Sequence, residues 1–393
     1  MATETPPVNH TSHWFPDSTT PSLSAFVEQT TNFVQAGTSP ATYHEQIVMT
    51  TVIAIFGIWS TFGNLVTILA IALHRGMRTK CNLFILSLAL SDLISGVVAS
   101  PLWLYRRTWG FYNWGWGDFL CKLYWGADET TSYCTALHIA SFAVLRLIGV
   151  KWPLRFEAIK RRTVVILNSI LWLTALTFGG FVYTYFYEVA EKGGQDVSSC
   201  WPMCSIRISN NGVSQLRIYY TFSSTTFLLL PMFILFVSSV LLVKELYFQK
   251  IVKSENRRKK ERHAAYQLAL ISTSFLIGYV PMTSYMLWTT RSTKKQSFGC
   301  GFDYWFNVGA YFALRFSECL NPVMYNLAST KMRESSKNVV TTLLTCGKVK
   351  KKLRITSKSQ ERSKSQGSKD HLTVPMNDVT DSFNTRHNGT PKK

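Results

Sequence analysis

The chain has 393 residues, of which 47% are hydrophobic and only 16% are charged, and its mean hydropathy is +0.06. Soluble domains usually carry about 25% charged residues, so this composition argues against a soluble protein. Eight cysteines over this length do not indicate a small disulfide scaffold. The net charge of +20 would suggest nucleic-acid binding in a soluble protein. Because most basic residues lie in the C-terminal tail and between apolar stretches, we expect no nucleic-acid partner.

The first predicted element is a tail, residues 1–45, which is rich in Thr, Ser and Pro and poor in apolar residues. Such a segment cannot bury enough apolar surface to fold, so we expect it to be disordered. It contains the sequon Asn9-His10-Thr11, which makes Asn9 a candidate glycosylation site if the tail is extracellular.

Seven apolar stretches follow, and each is long enough to cross a bilayer core of about 30 Å, which needs roughly 20 residues. Span one, Gln46–Leu73, contains no Asp, Glu, Lys or Arg and is too long for the core of a signal peptide. Spans two to seven are Leu83–Leu104, Leu120–Val150, Thr163–Tyr187, Ile218–Val243, Ala264–Trp288 and Trp305–Leu327. The pattern predicts that residues 46–328 form an all-α fold, a seven-transmembrane helix bundle.

Residues 329–346 have an amphipathic pattern, with apolar residues at Met332, Val339, Val340, Leu343 and Leu344. This pattern predicts a short eighth helix that lies on the membrane surface and contacts lipid. Cys346 at its end could carry palmitate or remain a reduced thiol. Residues 347–393 are polar and basic, and we expect a disordered cytoplasmic tail with phosphorylatable serines.

The basic residues predict the orientation of the bundle. The N-terminal tail has no Lys or Arg, and the first one in the chain is Arg75. The links after spans one, three and five hold Arg75, Arg78, Lys80, Lys151, Arg155, Lys160, Arg161, Arg162, Lys250, Lys253, Arg257, Arg258, Lys259, Lys260 and Arg262. The other links hold fewer, among them Arg106, Arg107, Arg291, Lys294 and Lys295. Because cytoplasmic links carry the excess of basic residues, the N terminus should be extracellular and the protein multi-pass in the plasma membrane.

Polar residues inside spans are costly and are therefore candidates for function. Three short motifs contain them: Gly63-Asn64-Leu65-Val66 in span one, Leu88-Ala89-Leu90-Ser91-Asp92 in span two and Asn321-Pro322-Val323-Met324-Tyr325 in span seven. In this order and spacing the motifs resemble the rhodopsin-like, class A, G-protein-coupled receptors. The resemblance extends from about Ile47 to Cys346. It implies a cell-surface receptor that activates a heterotrimeric G protein, with arrestin as a further partner of a phosphorylated tail.

The resemblance also implies a polar network in the middle of the bundle. Its predicted members are Asn64, Asp92, Thr135, Ser317 and Asn321. Side chains of these types at matching depth could share hydrogen bonds or hold a small cation, so sodium is a possible bound ion. We expect no other metal or cofactor.

The predicted ligand site is similar to that of the histamine and muscarinic receptors. Counted from Cys121, Asp128 stands where amine receptors place the carboxylate that binds the ligand's ammonium group, and Ser132 continues its helical face. The full predicted set is Asp128, Ser132, Ser223, Ser224, Tyr279, Met282, Tyr311 and Arg315. The resemblance therefore implies an extracellular small molecule as ligand, with a biogenic amine as one candidate.

Arg315 departs from the amine-receptor pattern, because a Tyr usually stands there. An arginine at this position could form an ion pair with Asp128, and the site would then attract a simple amine less. Ligand binding by Asp128 and pairing with Arg315 remain two open alternatives. Glu129 and Glu318 are further acids that the pattern does not explain.

The resemblance implies a disulfide between Cys121 and the second extracellular loop. That loop contains both Cys200 and Cys204, and spacing does not choose between them. The remaining cysteine could pair with Cys300 in the third extracellular loop.

The resemblance places the G-protein switch at Arg146. Its usual acidic and tyrosine neighbours are here Leu145 and Leu147, so the acid that restrains the arginine is missing. Glu261, at the cytoplasmic end of span six, could restrain Arg146 instead. Pro281, Pro322 and Tyr325 complete the predicted switch residues, and the prolines should bend their helices.

Other functions are alternatives to this hypothesis. The Leu145 and Leu147 changes favour a decoy or partner subunit with impaired signalling, and Arg315 favours a zwitterionic, anionic or peptide ligand. A transporter or channel agrees less well with the short loops and ordered motifs. We expect no enzyme, because the sequence has no nucleophile–base pair, no Gly-rich phosphate loop and no clustered His or Cys residues.

Overall fold

The computed structural model describes residues 39–189, 202–206, 212–248, 255–291 and 299–345. The chain divides into two compact units, Met1–Ser336 and Lys337–Lys393. The predicted sites Asn9, Cys200 and Cys346 lie outside the described residues.

The first unit is a helix bundle, as the apolar stretches predict. Within the described residues its long helical segments are Tyr43–Leu73, Lys80–Arg107, Gly117–Lys151, Arg161–Phe186, Gly212–Phe248, Glu255–Arg291 and Gly299–Ala328. A 3₁₀ turn, Arg75–Met77, and a short helix, Pro153–Ala158, follow spans one and three. The all-α prediction is confirmed, with one addition: two short antiparallel strands, Tyr187–Val189 and Cys204–Ile206, pair beyond span four.

Six of the described helices are long and apolar enough to cross a membrane. The helix of span seven, Gly299–Ala328, is not among them, because it carries Arg315 and Glu318 in its middle. Both side chains are buried inside the bundle, so the charged residues that lower its hydropathy do not face lipid.

The first helix begins three residues before the predicted boundary, and local chemistry explains where. The Thr42 side chain accepts a hydrogen bond from the Glu45 backbone, and the Glu45 carboxylate accepts one from the Thr42 backbone at 2.7 Å. This reciprocal capping box satisfies two of the backbone N–H groups that a helix start leaves free. Thr79 caps the second helix in a simpler way, by accepting from the Asn82 backbone.

Three spans contain a π-helical turn, at Ser95–Ala99, Leu176–Phe181 and Thr225–Leu229. Pro101 and Pro231 each follow one of these turns by two residues. Since proline has no N–H to donate, the helix nearby must rearrange its hydrogen bonds, and a wider turn is one way to do so. Pro281 and Pro322, by contrast, lie inside helices without such a turn.

The π turn of span four is not associated with a proline. Instead it contains Gly179, where a Cβ atom would lie 2.8 Å from the backbone of Glu129 and Thr130 in span three. Spans three and four therefore approach each other at backbone distance here. Only glycine has room at this position, and the contact holds the backbone of Glu129 in place.

A disulfide between Cys121 and Cys204 joins the start of span three to the second strand. It selects Cys204 over Cys200 as the partner. We call this end of the bundle the disulfide end and the other end the Arg146 end. Aromatic residues fill the disulfide end; Trp103 stacks on Tyr311 with ring centroids 3.8 Å apart.

The last described helix, Thr330–Leu344, begins in the first unit and ends in the second. The predicted amphipathic helix was 329–346. The observed helix begins one residue later and ends two residues earlier. Its predicted position on the membrane surface stays a prediction. In the second unit, residues 337–345 are described, and the Thr345 backbone N–H donates to the Thr341 carbonyl at the helix end.

Candidate functional site

Asp128 of span three and Arg315 of span seven form a buried ion pair. Arg315 Nη2 lies 2.8 Å from Asp128 Oδ1, and both side chains are at most 3% exposed. Arg315 Nη1 lies 2.9 Å from Glu318 Oε2, so one guanidinium group binds two carboxylates. The face of the Tyr311 ring lies 4.4 Å from the guanidinium carbon. Of the two alternatives for Asp128, the structure contains the ion pair.

The spacing of Arg315 and Glu318 explains half of this arrangement. Residues three apart on a helix share a face, so both side chains point into the bundle. A buried charge without a partner is very costly, and a guanidinium placed between two carboxylates reduces that cost for all three groups. Ser95 of span two donates to the other Glu318 oxygen, Oε1, at 2.9 Å.

The ion pair changes what Asp128 can do. One of its oxygens already accepts a charge-assisted hydrogen bond from Arg315, and the neighbouring positive charge repels an ammonium group. A simple amine would have to displace the guanidinium. The physical basis of the predicted amine site is therefore weakened.

Glu129, the next residue, is in a different environment. Its side chain is 1% exposed, and neither carboxylate oxygen has a hydrogen-bond partner of ordinary geometry among the described residues. The hydroxyl groups of Tyr133 and Tyr220 lie within longer hydrogen-bonding range of its carboxylate. Beside it, the Tyr133 hydroxyl is 2.8 Å from the Tyr183 hydroxyl, which is 3.0 Å from Ser223 Oγ. Glu129 is thus enclosed by spans three, four and five, beside a tyrosine cluster formed by Tyr133, Tyr183 and Tyr220. The sequence motifs assign no role to this acid.

The other predicted ligand residues are distributed over the bundle interior. Ser132, Ser223, Ser224, Tyr279 and Met282 are buried, and Tyr279 stacks on Phe275 at 4.2 Å. The structure brings Asp128, Tyr311 and Arg315 into contact. Ser223 instead belongs to the tyrosine cluster near Glu129.

A cavity of about 430 Å³ lies on another side of the bundle, between spans two, three and four. Its lining includes Gly126, Trp172 and Gly180 and is almost wholly apolar. None of the predicted ligand residues lines this cavity.

The predicted polar network is partly assembled. Asn321 Nδ2 donates to Asp92 Oδ2 at 2.9 Å, and Ser274 donates to Asn321 Oδ1 at 3.2 Å and to the Ser317 carbonyl at 2.9 Å. Thr135 donates to Ser91. These bonds join spans two, three, six and seven in pairs at one depth.

Asn64 of the predicted network bonds only within its own span in the described residues, since its amide nitrogen donates to Ser60. The other oxygen of Asp92, Oδ1, and the Asn64 side-chain oxygen are buried and have no partner among the described residues. Oxygen atoms of this kind fit a small hard cation.

The motif of span one meets that of span seven through a glycine. A Cβ atom at Gly63 would lie 2.9 Å from the Pro322 ring. The absence of a side chain at Gly63 therefore lets the first span pack closely on the seventh, next to the Asp92–Asn321 hydrogen bond.

At the Arg146 end, the Arg146 guanidinium donates to the side-chain oxygen of Gln267 in span six. Its carbon atom also lies 5.0 Å from the Phe142 ring centroid. The side chain of Glu261, the predicted partner, lies outside the described residues. The sequence pattern did not single out Gln267, because an uncharged amide gives no charge signal. The i,i+3 spacing to Arg315 could have indicated Glu318.

The sequence matches the profile described as 7 transmembrane receptor (rhodopsin family) over residues 63–325. The chain belongs to this family. This receptor is 28% identical to the growth hormone secretagogue receptor type 1 of Oryctolagus cuniculus, over 73% of its own length and 78% of the relative's. It is 25% identical to the human motilin receptor (70% and 76%) and 24% identical to the human neurotensin receptor type 1 (74% and 75%).

Family membership makes the receptor a multi-pass plasma-membrane protein of signal transduction, coupled to a G protein and responsive to an extracellular ligand. It points to a receptor rather than to an enzyme. These three relatives are not amine receptors, so the predicted likeness to histamine and muscarinic receptors needs correction. The physical reason is the Asp128–Arg315 pair, which occupies the carboxylate on which that likeness depended.

Proposed function

We propose that the receptor binds an extracellular peptide among the spans at the disulfide end and thereby activates a heterotrimeric G protein at the Arg146 end. The observation that carries this proposal is the buried ion pair of Asp128 and Arg315. It leaves no free carboxylate at the position where a small amine would bind. In support, the motilin and neurotensin receptors are named for peptide hormones, and both align over at least 70% of this chain.

The tyrosine cluster supports a ligand larger than a monoamine. Glu129 is a buried carboxylate with tyrosine hydroxyls and no cation around it in the described residues, on the side of span three that faces spans four and five. We expect a positively charged group of the peptide, such as an amino terminus or a basic side chain, to bind there. The remaining contacts of a peptide would lie on the aromatic residues of the disulfide end.

The proposed orientation puts the N terminus and the disulfide end outside the cell. The distribution of basic links supports it, since they follow spans one, three and five. In this orientation Asn9 can be glycosylated. The basic Arg146 end and the serines of the tail face G protein, arrestin and anionic lipid, and palmitate on Cys346 would tether the tail.

A sodium ion at the polar network is part of the proposal. Asp92 Oδ1 and the Asn64 side-chain oxygen would supply its ligands. Thr135 and Ser317 belong to the same network through Ser91 and Ser274. Such an ion would neutralise part of the buried negative charge around Asp92 and Glu318.

A second candidate is a receptor-like decoy that binds ligand without signalling. Leu145 and Leu147 flank Arg146, and Gln267 holds its guanidinium, so a G protein would have to break that contact first. This candidate keeps the ligand site and removes only the response.

The test is G-protein dissociation in cells, measured across G-protein classes with surface expression confirmed. One panel contains motilin, neurotensin and other peptide hormones, and a second contains biogenic amines and acetylcholine. A response to a peptide, with none to the amines, supports the proposal. An amine response of the wild-type receptor, with Arg315 in place, would reject the proposal. Loss of that response in Asp128→Asn would identify Asp128 as the group that binds the amine. Peptide binding without dissociation would favour the decoy.

A further inference from the structure

Two adjacent arginines, Arg106 and Arg107, end span two at the disulfide end, where the positive-inside pattern predicts few basic residues. Both are buried, with exposed fractions of 2% and 5%. Arg106 has a structural role: its Nε donates to the Cys204 carbonyl at 2.7 Å, and its guanidinium lies 4.6 Å from the Trp125 ring centroid. It thus holds the disulfide-linked strand against the bundle.

Arg107 has only uncharged partners among the described residues. Its Nε is buried and makes no hydrogen bond among the described residues. No carboxylate in the described part of the chain lies within ion-pair distance of it. Its neighbours are aromatic: the guanidinium carbon lies 5.9 Å from the Tyr304 ring centroid, and the guanidinium donates a hydrogen bond to the Tyr285 hydroxyl.

The backbone around Arg107 is nevertheless fixed. The Tyr304 hydroxyl of span seven donates to the Arg107 carbonyl at 2.6 Å. Span two and span seven are therefore tied together at this residue. The arginine is presented on a rigid element, and its burial does not result from a loose helix end.

Burial of a guanidinium without a counter-ion costs several kcal/mol, and its planar donor fork matches the two oxygens of a carboxylate. Proteins retain local costs of this kind mainly at functional sites. An anion supplied by a ligand would complete this arrangement, since no described residue supplies one.

We propose that Arg107 is the binding site for a free carboxylate of the ligand. For a peptide, that group is its C-terminal carboxylate or an acidic side chain. The identity of the ligand as a peptide rests on the proposed function, whereas binding of a carboxylate at Arg107 does not. Arg107 and Glu129 would then bind opposite charges at separate points of one ligand.

The test uses the purified full-length receptor in detergent and follows its thermal unfolding midpoint with three small probes. N-acetyl-leucine has an α-carboxylate, N-acetylglutamic acid α-amide has only a side-chain carboxylate, and N-acetyl-leucinamide has neither. The variants are Arg107→Met and, as a matched control, Arg162→Met, which removes an exposed arginine.

We expect at least one acid, and not the amide, to raise the midpoint in a saturable way in wild type and in Arg162→Met. In Arg107→Met the apparent affinity for that acid should fall by roughly tenfold or more, as for loss of a charge-assisted hydrogen bond. An effect of N-acetyl-leucine would indicate that the site binds a C-terminal carboxylate. An effect of the glutamic acid α-amide would indicate an acidic side chain. Equal effects of acids and amide, or an effect that survives in Arg107→Met, would overturn the proposal.

The midpoint without any probe supplies a second, independent criterion. Because Arg107 has no counter-ion among the described residues, Arg107→Met should leave that midpoint unchanged or raise it. A clear decrease relative to Arg162→Met would identify Arg107 as a structural residue and contradict the proposal. Both measurements use neither G protein nor agonist, so failure of the receptor to signal would not affect them.

Discussion

The charged residues inside the bundle differ in how completely they are paired. Arg315 binds Asp128 with one terminal nitrogen and Glu318 with the other. Glu129, adjacent to Asp128 in sequence, has no hydrogen-bond partner of ordinary geometry in the described residues. A helix turns by about 100° per residue, so neighbouring acids face different spans. Paired and unpaired acids should respond differently to neutralisation.

Removal of Arg315 should strongly destabilise the receptor. Arg315→Met leaves Asp128 and Glu318 buried without their cation, and we expect a loss of about 3–5 kcal/mol in unfolding free energy. Arg315→Lys should be intermediate, because one ammonium cannot replace both guanidinium nitrogens equally. Thermal or chemical unfolding in detergent measures the effect. A change in Arg315→Met no larger than in the exposed control Arg162→Met would contradict the pairing.

Neutralisation of the two adjacent acids, Asp128 and Glu129, should affect the unfolding midpoint differently. Asp128→Asn removes the charge that binds Arg315 and should lower the unfolding midpoint. Glu129→Gln replaces a buried carboxylate that has no cation among the described residues by an uncharged group of the same shape, and it should leave the midpoint unchanged or raise it. The two variants are compared in one thermal unfolding series. A loss of stability in Glu129→Gln as large as in Asp128→Asn would show that Glu129 has a partner.

At the scale of helices, irregular turns and small residues set the contacts between spans. The π turns in spans two and five precede Pro101 and Pro231, whereas the π turn in span four contains Gly179 at a backbone contact with span three. Because a backbone cannot rotate away as a side chain can, this contact tolerates no added atom. It also holds Glu129 against the tyrosine cluster.

Gly179→Ala should therefore destabilise the receptor despite the higher helix propensity of alanine. The added Cβ would lie 2.8 Å from the Glu129 backbone, and overpacking of this kind costs about 1–3 kcal/mol. Gly309→Ala is the control, because no atom lies within 4 Å of a Cβ there. Unfolding midpoints of both variants measure the difference. Equal midpoints would mean that spans three and four can separate at no cost.

At the scale of the whole bundle, signalling depends on contacts that join span three to spans six and seven. The Arg146–Gln267 hydrogen bond joins spans three and six at one end, and the Asp128–Arg315 pair joins spans three and seven nearer the other. A rearrangement of the spans that breaks such contacts shifts the population between resting and active conformations. We expect Gln267 to take the restraining role for which the usual acid beside Arg146 is missing.

Loss of the Gln267 contact should raise basal signalling. Gln267→Ala frees the Arg146 guanidinium, and we expect more ligand-independent G-protein dissociation at equal surface expression. Ser272→Ala is the matched control, because Ser272 lies on the same helix and its hydroxyl has no hydrogen-bond partner in the described residues. A basal signal in Gln267→Ala no higher than in Ser272→Ala would contradict a restraining role.

The helices were predictable because their signal is local. A stretch such as Gln46–Leu73 is apolar throughout, and length with apolarity suffices to predict a membrane helix. Helix ends were less predictable, since the first helix begins at Tyr43 through the Thr42–Glu45 capping box. Contacts between spans depend on residues far apart in sequence. The Asp128–Arg315 pair could be posed only as one of two alternatives, and Gln267 carried no charge to attract notice.

The number and order of the spans, the family and the types of polar residue inside the bundle could be predicted from the chain alone, because these follow from composition and spacing. The partners of these groups came from the folded bundle: Cys204 with Cys121, Arg315 with Asp128 and Gln267 with Arg146. The folded bundle also decided that Glu129 and Arg107 lack counter-ions in the described residues. Pairing is a matter of distances of about 3 Å between side chains of different helices, and helix packing alone determines them.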